Sequence, residues 1–184
     1  MHEKNLETID LSKCLFQVLG FLTVDVSSPF VTLVEEVDDP TARGVTFSFM
    51  SDMNSDSVRI PADFTVIDVS RDADEPDISK MTKDEISEFD VCLYEALEHE
   101  LSQSDIKIRE WIETELHVVA GETVLMTGYV ATVAGCDRQY VSVRRRMAGR
   151  NICIIGTFDV QRTDDFMHPI MEMLGRVRAM TYHS

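Results

Sequence analysis

The sequence predicts an α+β protein built on a twisted antiparallel β-sheet of about six or more strands, with helices on both faces. Residues 108–160 fall into four strand-like segments separated by short turns, and helical stripes flank them at 83–103 and 166–180. Turns this short join antiparallel neighbours, because a parallel return needs a crossover of a dozen or more residues. With 184 residues and 44% hydrophobic content, the chain is expected to form a single domain over residues 1–184.

The four strands are predicted at 108–118, 123–133, 138–147 and 152–160. In the first of them the even positions, which include Ile108, Ile112, Leu116 and Val118, are expected to form a core face, since alternate residues of a strand point the same way. The second strand carries apolar residues at both parities. It therefore needs cover on both faces, which the two helices would supply.

The first helix has the clearest start signal in the chain. Thr82 and Glu85 have the spacing of a capping box, and Met81 with Ile86 has that of a hydrophobic staple, which predicts a helix over 83–103. The second helix shows an apolar stripe from Phe166 to Val177. Because proline is tolerated in the first helical turn, Pro169 places the predicted start near 165–168.

The first third of the chain predicts a short helix followed by strands. Asp10 can cap a helix in which Leu11, Leu15, Val18 and Leu19 share a face, ended by Gly20. Strands are expected at 21–26, 30–37, 44–50 and 64–69.

The charge of the chain is strongly acidic and unevenly spread. The net charge is −16, and residues 1–137 carry 29 Asp and Glu against 9 Lys and Arg, whereas residues 138–184 carry 4 against 8. Such a chain should repel nucleic acid and anionic membranes, so a partner selected by charge would be basic. No window approaches the roughly 20 apolar residues of a membrane span, and no signal peptide is evident at the N-terminus, so a cytoplasmic location is expected.

No metal or cofactor site is predicted. The four cysteines, Cys14, Cys92, Cys136 and Cys153, are widely spaced and form neither a zinc pattern nor a disulfide framework. Asp72 and Asp74 begin like a calcium loop, but the glycine at the sixth position and the glutamate at the twelfth are missing. The segment 71–79 is therefore interpreted as a solvated connector.

The sequence also lacks the common catalytic motifs, and the protein is expected not to be an enzyme. Cys92 and His99 lie two helical turns apart, about 10 Å, which exceeds the hydrogen-bond reach that a Cys–His pair needs. His117 and Cys153 could approach each other across strands, but nothing in the sequence requires it.

One basic strip stands out on the third predicted strand. Arg138, Tyr140, Ser142, Arg144 and Arg146 share one face, whereas Val141, Val143 and Met147 point the other way. One interpretation is a solvated face whose arginines pair with Glu110, Glu113 or Glu115 on another strand. The other is a docking strip for an acidic segment or a carboxylate ligand, with Arg138, Tyr140, Arg144 and Arg146 as binding residues.

The order of elements resembles a known family. A long helix is followed by the stretch V-A-G-E-T-V-L-M-T-G-Y at 119–129, a strand at 151–160, and a terminal helix ending M-L-G-R-V-R at 173–178. Over residues 64–180 this pattern is similar to the PsbP/Mog-like sandwich, and to the bacterial DcrB-like proteins and the effector chaperones of type VI secretion. The resemblance implies a non-catalytic protein that binds another protein, and it carries over no functional residue.

These observations together favour a cytoplasmic protein-binding protein of adaptor, chaperone or toxin-neutralising immunity type. The alternative is a small-molecule-binding or hydrolytic protein with a pocket between sheet and helix. A third hypothesis is a homo-oligomer that assembles through an exposed strand edge.

Overall fold

A computed structural model describes residues 15–26, 31–39, 42–50, 62–70, 77–104, 106–119 and 121–180. These residues form ten strands in two antiparallel sheets, together with two α-helices, α1 (Lys83–Ser102) and α2 (Thr163–Arg176). The small sheet contains β1 (Leu15–Val18), β2 (Leu22–Asp25) and β10 (Val177–Ala179). The large sheet contains, in spatial order, β3 (Val31–Asp39), β4 (Ala42–Met50), β5 (Ala62–Asp68), β9 (Arg150–Asp159), β8 (Cys136–Met147), β7 (Glu122–Val133) and β6 (Lys107–Val119).

The prediction of an antiparallel sheet with six or more strands is confirmed. Strands β6 to β9 form the predicted meander, and each predicted strand from 30–37 onward lies within a few residues of an observed one. The turns after β7 and β8 place Ala134 and Ala148 at φ 50°, and Gly135 and Gly149 at φ 80° and 77°. Two successive residues at positive φ are typical of the tight hairpin turns that match strand twist. The separate three-stranded sheet was not predicted.

The main core lies between the large sheet, the small sheet and α2. Phe47, Phe64 and Phe158 of the large sheet are fully buried in it, as are Phe166 and Ile170 of α2. Helix α2 approaches β9 closely, because a Cβ built on Gly156 would lie 2.2 Å from Cγ2 of Ile170. Only a glycine at this position lets the helix sit so near the sheet.

A second, smaller cluster explains why β7 is apolar at both parities. Val124 belongs to the main core, whereas its neighbour Leu125 packs with Ile86 of α1 and with Ile78 in a 3₁₀ turn that precedes it. Neighbouring residues of a strand point to opposite faces. Strand β7 is therefore buried on both sides.

The predicted short helix near the N-terminus is wrong. Residues 15–18 form strand β1, which pairs with β2 around a turn where Leu19 and Gly20 have φ 58° and 78°. Val18, Leu22 and Val24 are buried in the main core, so tertiary pairing outweighs the helical spacing of the leucines. Residues 10–14 of that prediction lie outside the described part of the chain.

The predicted core face of the first strand in the meander is also wrong. Strand β6 shifts register against β7 between Ile108 and Glu110, and again between Ile112 and Glu115. Each such bulge inserts a residue and changes which side chains share a face. Ile112 therefore lies on the opposite face of the sheet from Leu116 and Val118, and the three residues are 48%, 39% and 74% exposed rather than buried.

Helix α2 begins earlier than predicted. It starts at Thr163, so Pro169 lies in its interior, where the missing N–H forfeits one helical hydrogen bond. The fully buried Phe166, Ile170 and Leu174 hold the helix on the sheet despite that loss. The chain after Arg176 becomes strand β10 rather than continuing the helix.

Among the described residues, no helix combines the length and apolarity needed to cross a membrane.

Candidate functional site

The basic strip predicted on β8 lies on the face of the sheet opposite the main core. Val141, Val143 and Met147 point into that core, so the residues between them point the other way. Arg138 is half-buried, and its Nη2 lies 3.1 Å from Oδ2 of Asp63 on β5. Burial raises the pKa of the Asp63 carboxyl, against the opposing effects of a hydrogen bond to Ser48 and of the Arg138 charge.

Tyr140 belongs to an aromatic ladder that crosses three strands. Its ring stacks on Tyr129 with centroids 4.4 Å apart, and Tyr129 stacks in turn on Trp111 at 6.0 Å. Tyr94 of α1 closes the ladder in an edge-to-face arrangement with Trp111, with ring centroids 5.2 Å apart. Burial raises the pKa of both Tyr129 and Tyr140, so both phenols stay protonated near neutral pH.

The remaining arginines of β8 have different surroundings. The Arg144 guanidinium lies 5.3 Å from the ring centroid of Phe89 on α1, in cation–π geometry, whereas Arg146 is exposed. Arg145 points to the main-core side and is buried. Arg138, Tyr140 and Arg144 therefore all make contacts within the protein. Arg146 is the most exposed member of the strip.

His117 and Cys153 are on opposite faces of the sheet. The cross-strand neighbour of His117 is Val124, which belongs to the main core. The cross-strand neighbour of Cys153 is Arg144, and the next one along is Leu125, which belongs to the second cluster on the other face. Burial raises the pKa of the Cys153 thiol, which disfavours the nucleophilic thiolate. These two residues cannot form a catalytic dyad in this fold.

Within the described ranges no group of three or more His, Cys, Asp or Glu side chains is placed to hold a metal ion. Asp72 and Asp74, considered above as a calcium loop, lie outside the described part of the chain. Cys14 lies outside it as well.

An apolar cavity of about 450 Å³ lies between α2 and the strands at the β6 end of the sheet. Ile112, Met126 and Val141 line it from the sheet, and Met167 and Met171 line it from α2. Gly128 forms part of its floor, where a Cβ would lie only 3.0 Å from Cδ1 of Ile112. The volume lies within the range of about 300–1,000 Å³ that is typical of ligand sites.

Among the described residues that line this cavity, the ionisable side chains come from strand β6. They are Glu113, Glu115 and His117, and Nε2 of His117 lies 3.6 Å from Oε2 of Glu115. Both members of that pair are largely exposed. An apolar interior with acidic groups at its mouth can take an apolar group flanked by positive charge.

Strand β6 also forms one edge of the large sheet. Within the part of the chain that the structure describes, it pairs with β7 alone. Helix α1 packs along it and carries seven acidic residues against one lysine. The carboxylate of Asp90 on α1 accepts hydrogen bonds from Nε1 of Trp111, at 3.2 Å, and from the backbone N–H of Thr114, at 2.7 Å.

The cavity was predicted only in general terms, as a pocket between sheet and helix. Its methionines could not be assigned from the sequence, because Met167 and Met171 flank the buried stripe of α2 and Met126 reads as an ordinary strand residue. The bulge at 113–114 was equally hidden. It places Ile112 and Glu115 beside the cavity although their positions have opposite parity.

No protein-family model matches this sequence, and no curated protein matches it. Among solved structures, the solution structure of cyanobacterial PsbP (CyanoP) from Synechocystis sp. PCC 6803 is similar, with a TM-score of 0.50 and 13% identity over 80% of this chain and 92% of that chain. A protein of unknown function from Pseudomonas aeruginosa, PA94, described as a putative regulator, has a TM-score of 0.41 at 10% identity, covering 92% and 96% of the two chains. LpqN, which is involved in cell envelope biogenesis of Mycobacterium tuberculosis, has a TM-score of 0.41 at 9% identity, covering 84% and 87%.

At these identities the likeness concerns the fold alone. The ten strands and two α-helices match the expected α+β class. The resemblance to the PsbP fold is confirmed as a likeness of fold. The chain adopts a PsbP-like fold.

Proposed function

We propose that this is a non-catalytic binding protein that captures a segment of another protein along strand β6. The observation that carries the proposal is the edge itself: a strand of 13 residues that pairs on one side within the described chain and exposes Ile112, Leu116 and Val118. An extended peptide can add to such an edge through main-chain hydrogen bonds, while pockets beside it select side chains.

The two bulges limit what the edge can accept. They leave 115–119 as the longest regular stretch of β6 against β7. Bulges on edge strands oppose indiscriminate pairing between long strands, so the edge is suited to a short segment rather than to open-ended assembly.

Charge supports a basic partner. Glu110, Glu113 and Glu115 lie on β6, and the acidic helix α1 packs beside it in a chain of net charge −16. Complementary charge would steer a basic segment toward this edge and raise its association rate.

The test is affinity capture of partners from the source cell, using the unaltered protein, Val118→Lys and Leu15→Lys. Val118 is on the edge, whereas Leu15 is a similarly exposed apolar residue of β1 and supplies the matched control. A stoichiometric partner retained by the unaltered protein and by Leu15→Lys but lost from Val118→Lys supports the proposal. A partner that both variants retain equally, or none at all, contradicts it.

Light scattering of the same three proteins identifies the partner class. A dimer that Val118→Lys dissociates would mean that the captured segment comes from a second copy of this chain.

A second candidate function is small-molecule binding, favoured by the cavity between α2 and the sheet. A thermal-shift screen with small apolar amines tests it. A ligand that stabilises the protein but not His117→Ala or Met171→Ala would support this function, and a screen with no stabilising compound would count against it.

The basic strip is a further predicted docking surface, for an acidic segment. Arg146→Glu tests it without disturbing the contacts of Arg138, Tyr140 or Arg144. Retention of every partner by that variant would exclude the strip.

The proposal also covers the arrangement of the two helices and the biological role. Helices α1 and α2 would cover opposite faces of the large sheet, which is supported by the separate clusters that Val124 and Leu125 join. We also propose that residues 1–184 form a single domain in the cytoplasm. Its role would be that of an adaptor, chaperone or immunity protein, which includes a role linked to type VI secretion or a DcrB-like role. A secretion or toxin gene beside its own would support the last of these.

A further inference from the structure

We infer that the cavity beside β6 receives one aromatic side chain of the captured segment, and that basic residues two positions away on each side meet the acidic mouth. This inference rests on the proposed capture along β6. It names the class of partner: an extended segment with the pattern basic, any residue, aromatic, any residue, basic.

The cavity and the edge strand share residues. Ile112, Glu113, Glu115 and His117 belong both to the edge strand and to the wall of the cavity. A segment added alongside β6 would place every second side chain on the α2 side of the sheet, directly over the opening. Cross-strand neighbours lie about 5 Å apart, so one such side chain would enter while its backbone stays paired with the edge.

The lining of the cavity is rich in methionine. Met126, Met167 and Met171 bring three thioethers to one cavity, together with Ile112 and Val141. Methionine adapts to irregular shapes and makes favourable sulfur–aromatic contacts. A flat aromatic ring buries a large apolar area with little loss of conformational freedom, which makes it the usual anchor of a binding segment.

The mouth of the cavity is acidic. Glu113 and Glu115 are exposed where the cavity opens, and among the described residues the one other ionisable side chain of the lining is His117, which lies beside Glu115. In a strand, residues two positions from the anchor emerge on the same face about 7 Å away. Lysine or arginine at those positions can reach the two carboxylates.

The experiment uses three capped heptapeptides, titrated calorimetrically into the full chain. The first has the sequence Val-Lys-Val-Phe-Val-Lys-Val. The second replaces the central phenylalanine with serine, and the third replaces both lysines with glutamate. The first peptide is expected to bind at least about ten-fold more tightly than the second, because the ring is buried. The third should not bind measurably.

Protein variants locate the anchor. Ile112→Trp would cover the mouth from an exposed position, and Met171→Phe would fill the interior. Either variant should therefore reduce the difference in affinity between the phenylalanine peptide and the serine peptide. Val160 is an exposed apolar residue outside the cavity, so Val160→Trp is the control and should leave the ten-fold difference in affinity unchanged. Glu115→Lys should weaken the first peptide more than Glu88→Lys, which makes the same charge change on α1.

The outcomes separate this inference from the proposal it rests on. If the phenylalanine and serine peptides bind equally, and Val118→Lys abolishes both, the edge captures peptides but the cavity anchor is wrong. If none of the peptides binds, or if binding survives Val118→Lys, capture along β6 is wrong and the anchor fails with it.

Discussion

Arg145 of β8 is only 4% exposed, and its Nη1 lies 3.0 Å from Oε2 of Glu122, a residue at the start of β7 that is 60% exposed. Nη2 of the same guanidinium donates to the backbone carbonyl of Val177 in β10. Burial lowers the pKa of Arg145, while the Glu122 charge opposes that shift. One buried cation thus joins a hairpin of the large sheet to a strand of the small one.

This asymmetric burial predicts unequal costs for removing the two partners. Glu122→Gln leaves a buried charge without its counter-ion and should lower the free energy of unfolding by about 2 kcal/mol. Arg145→Met removes the charge, retains apolar volume and leaves an exposed carboxylate, so it should cost less. Urea titration of both variants measures the order. A larger loss for Arg145→Met would show that the carbonyl of Val177, rather than Glu122, is the important partner.

Asp90 is predicted to fix α1 against β6. It accepts from the indole of Trp111 and from the backbone and hydroxyl of Thr114, and that hydroxyl lies 2.7 Å from the hydroxyl of Thr127. Asp90→Ala should cost about 2–3 kcal/mol, because it removes charge-assisted hydrogen bonds and leaves buried donors unpaired.

The fluorescence of Trp111, the only tryptophan of the chain, follows this change directly. Its emission should shift to longer wavelength in Asp90→Ala but not in Glu88→Ala, which removes an exposed carboxylate of the same helix. An unchanged spectrum in Asp90→Ala would mean that the ring contacts of Trp111 with Tyr129 and Tyr94 hold the indole without Asp90.

Asp63 should make stability depend on pH in the acidic range. Its pKa is raised in the folded protein from an ordinary value of 3.8, chiefly by burial and despite Arg138, so the folded state binds this proton more tightly than the unfolded state. The contribution of this group to the free energy of unfolding is therefore greatest at low pH and declines as pH rises above about 4.

The variant Asp63→Asn lacks this titration. Its stability relative to the unaltered protein should rise with pH above about 4 and then level off, as measured by urea titrations between pH 4 and 7. A difference that stays constant over this range would show that the Arg138 charge compensates for the burial of Asp63.

Two cysteines should differ in reactivity. Cys92 is exposed on α1, whereas Cys153 is buried and its thiol pKa is raised by that burial. Timed alkylation with iodoacetamide, followed by mass spectrometry of each site, should label Cys92 long before Cys153 in the native protein. Urea should remove the difference. Equal native rates would indicate frequent opening of the sheet around β9.

The hydroxyl of Thr82 at the N-cap of α1 should stabilise the protein by about 1 kcal/mol. The Thr82 hydroxyl accepts from the backbone N–H of Glu85 at 3.3 Å, and the Glu85 carboxylate accepts from the backbone N–H of Thr82 at 2.7 Å, which lowers the pKa of Glu85. Thr82→Ala should lose most of this stabilisation and Thr82→Ser should keep it, as measured by thermal unfolding. Equal stability of the two variants would show that the hydrophobic contact between Met81 and Ile86 suffices.

Where local chemistry decides a structure, the sequence predicted it correctly. The capping box at Thr82 starts α1 at the predicted residue, and the short turns between β6 and β9 produce the predicted meander. The errors occur where tertiary contacts decide. Leu15 and Val18 have helical spacing but form a strand, and Pro169 is tolerated in a helix because the stripe around it is buried.

In the candidate site, too, local sequence determined some features and tertiary contacts determined others. The sequence by itself determined the composition of the surface: an acidic chain, a basic strip on one strand and an acidic helix beside the sheet, all of which follow from residue type and period. Only the tertiary structure decided that His117 and Cys153 lie on opposite faces, that Arg138 pairs with Asp63, and that three methionines surround one cavity. The physical reason is that the bulge in β6 and the close packing of α2 against Gly156 both depend on contacts between distant segments. Such contacts leave no periodic signal in the sequence.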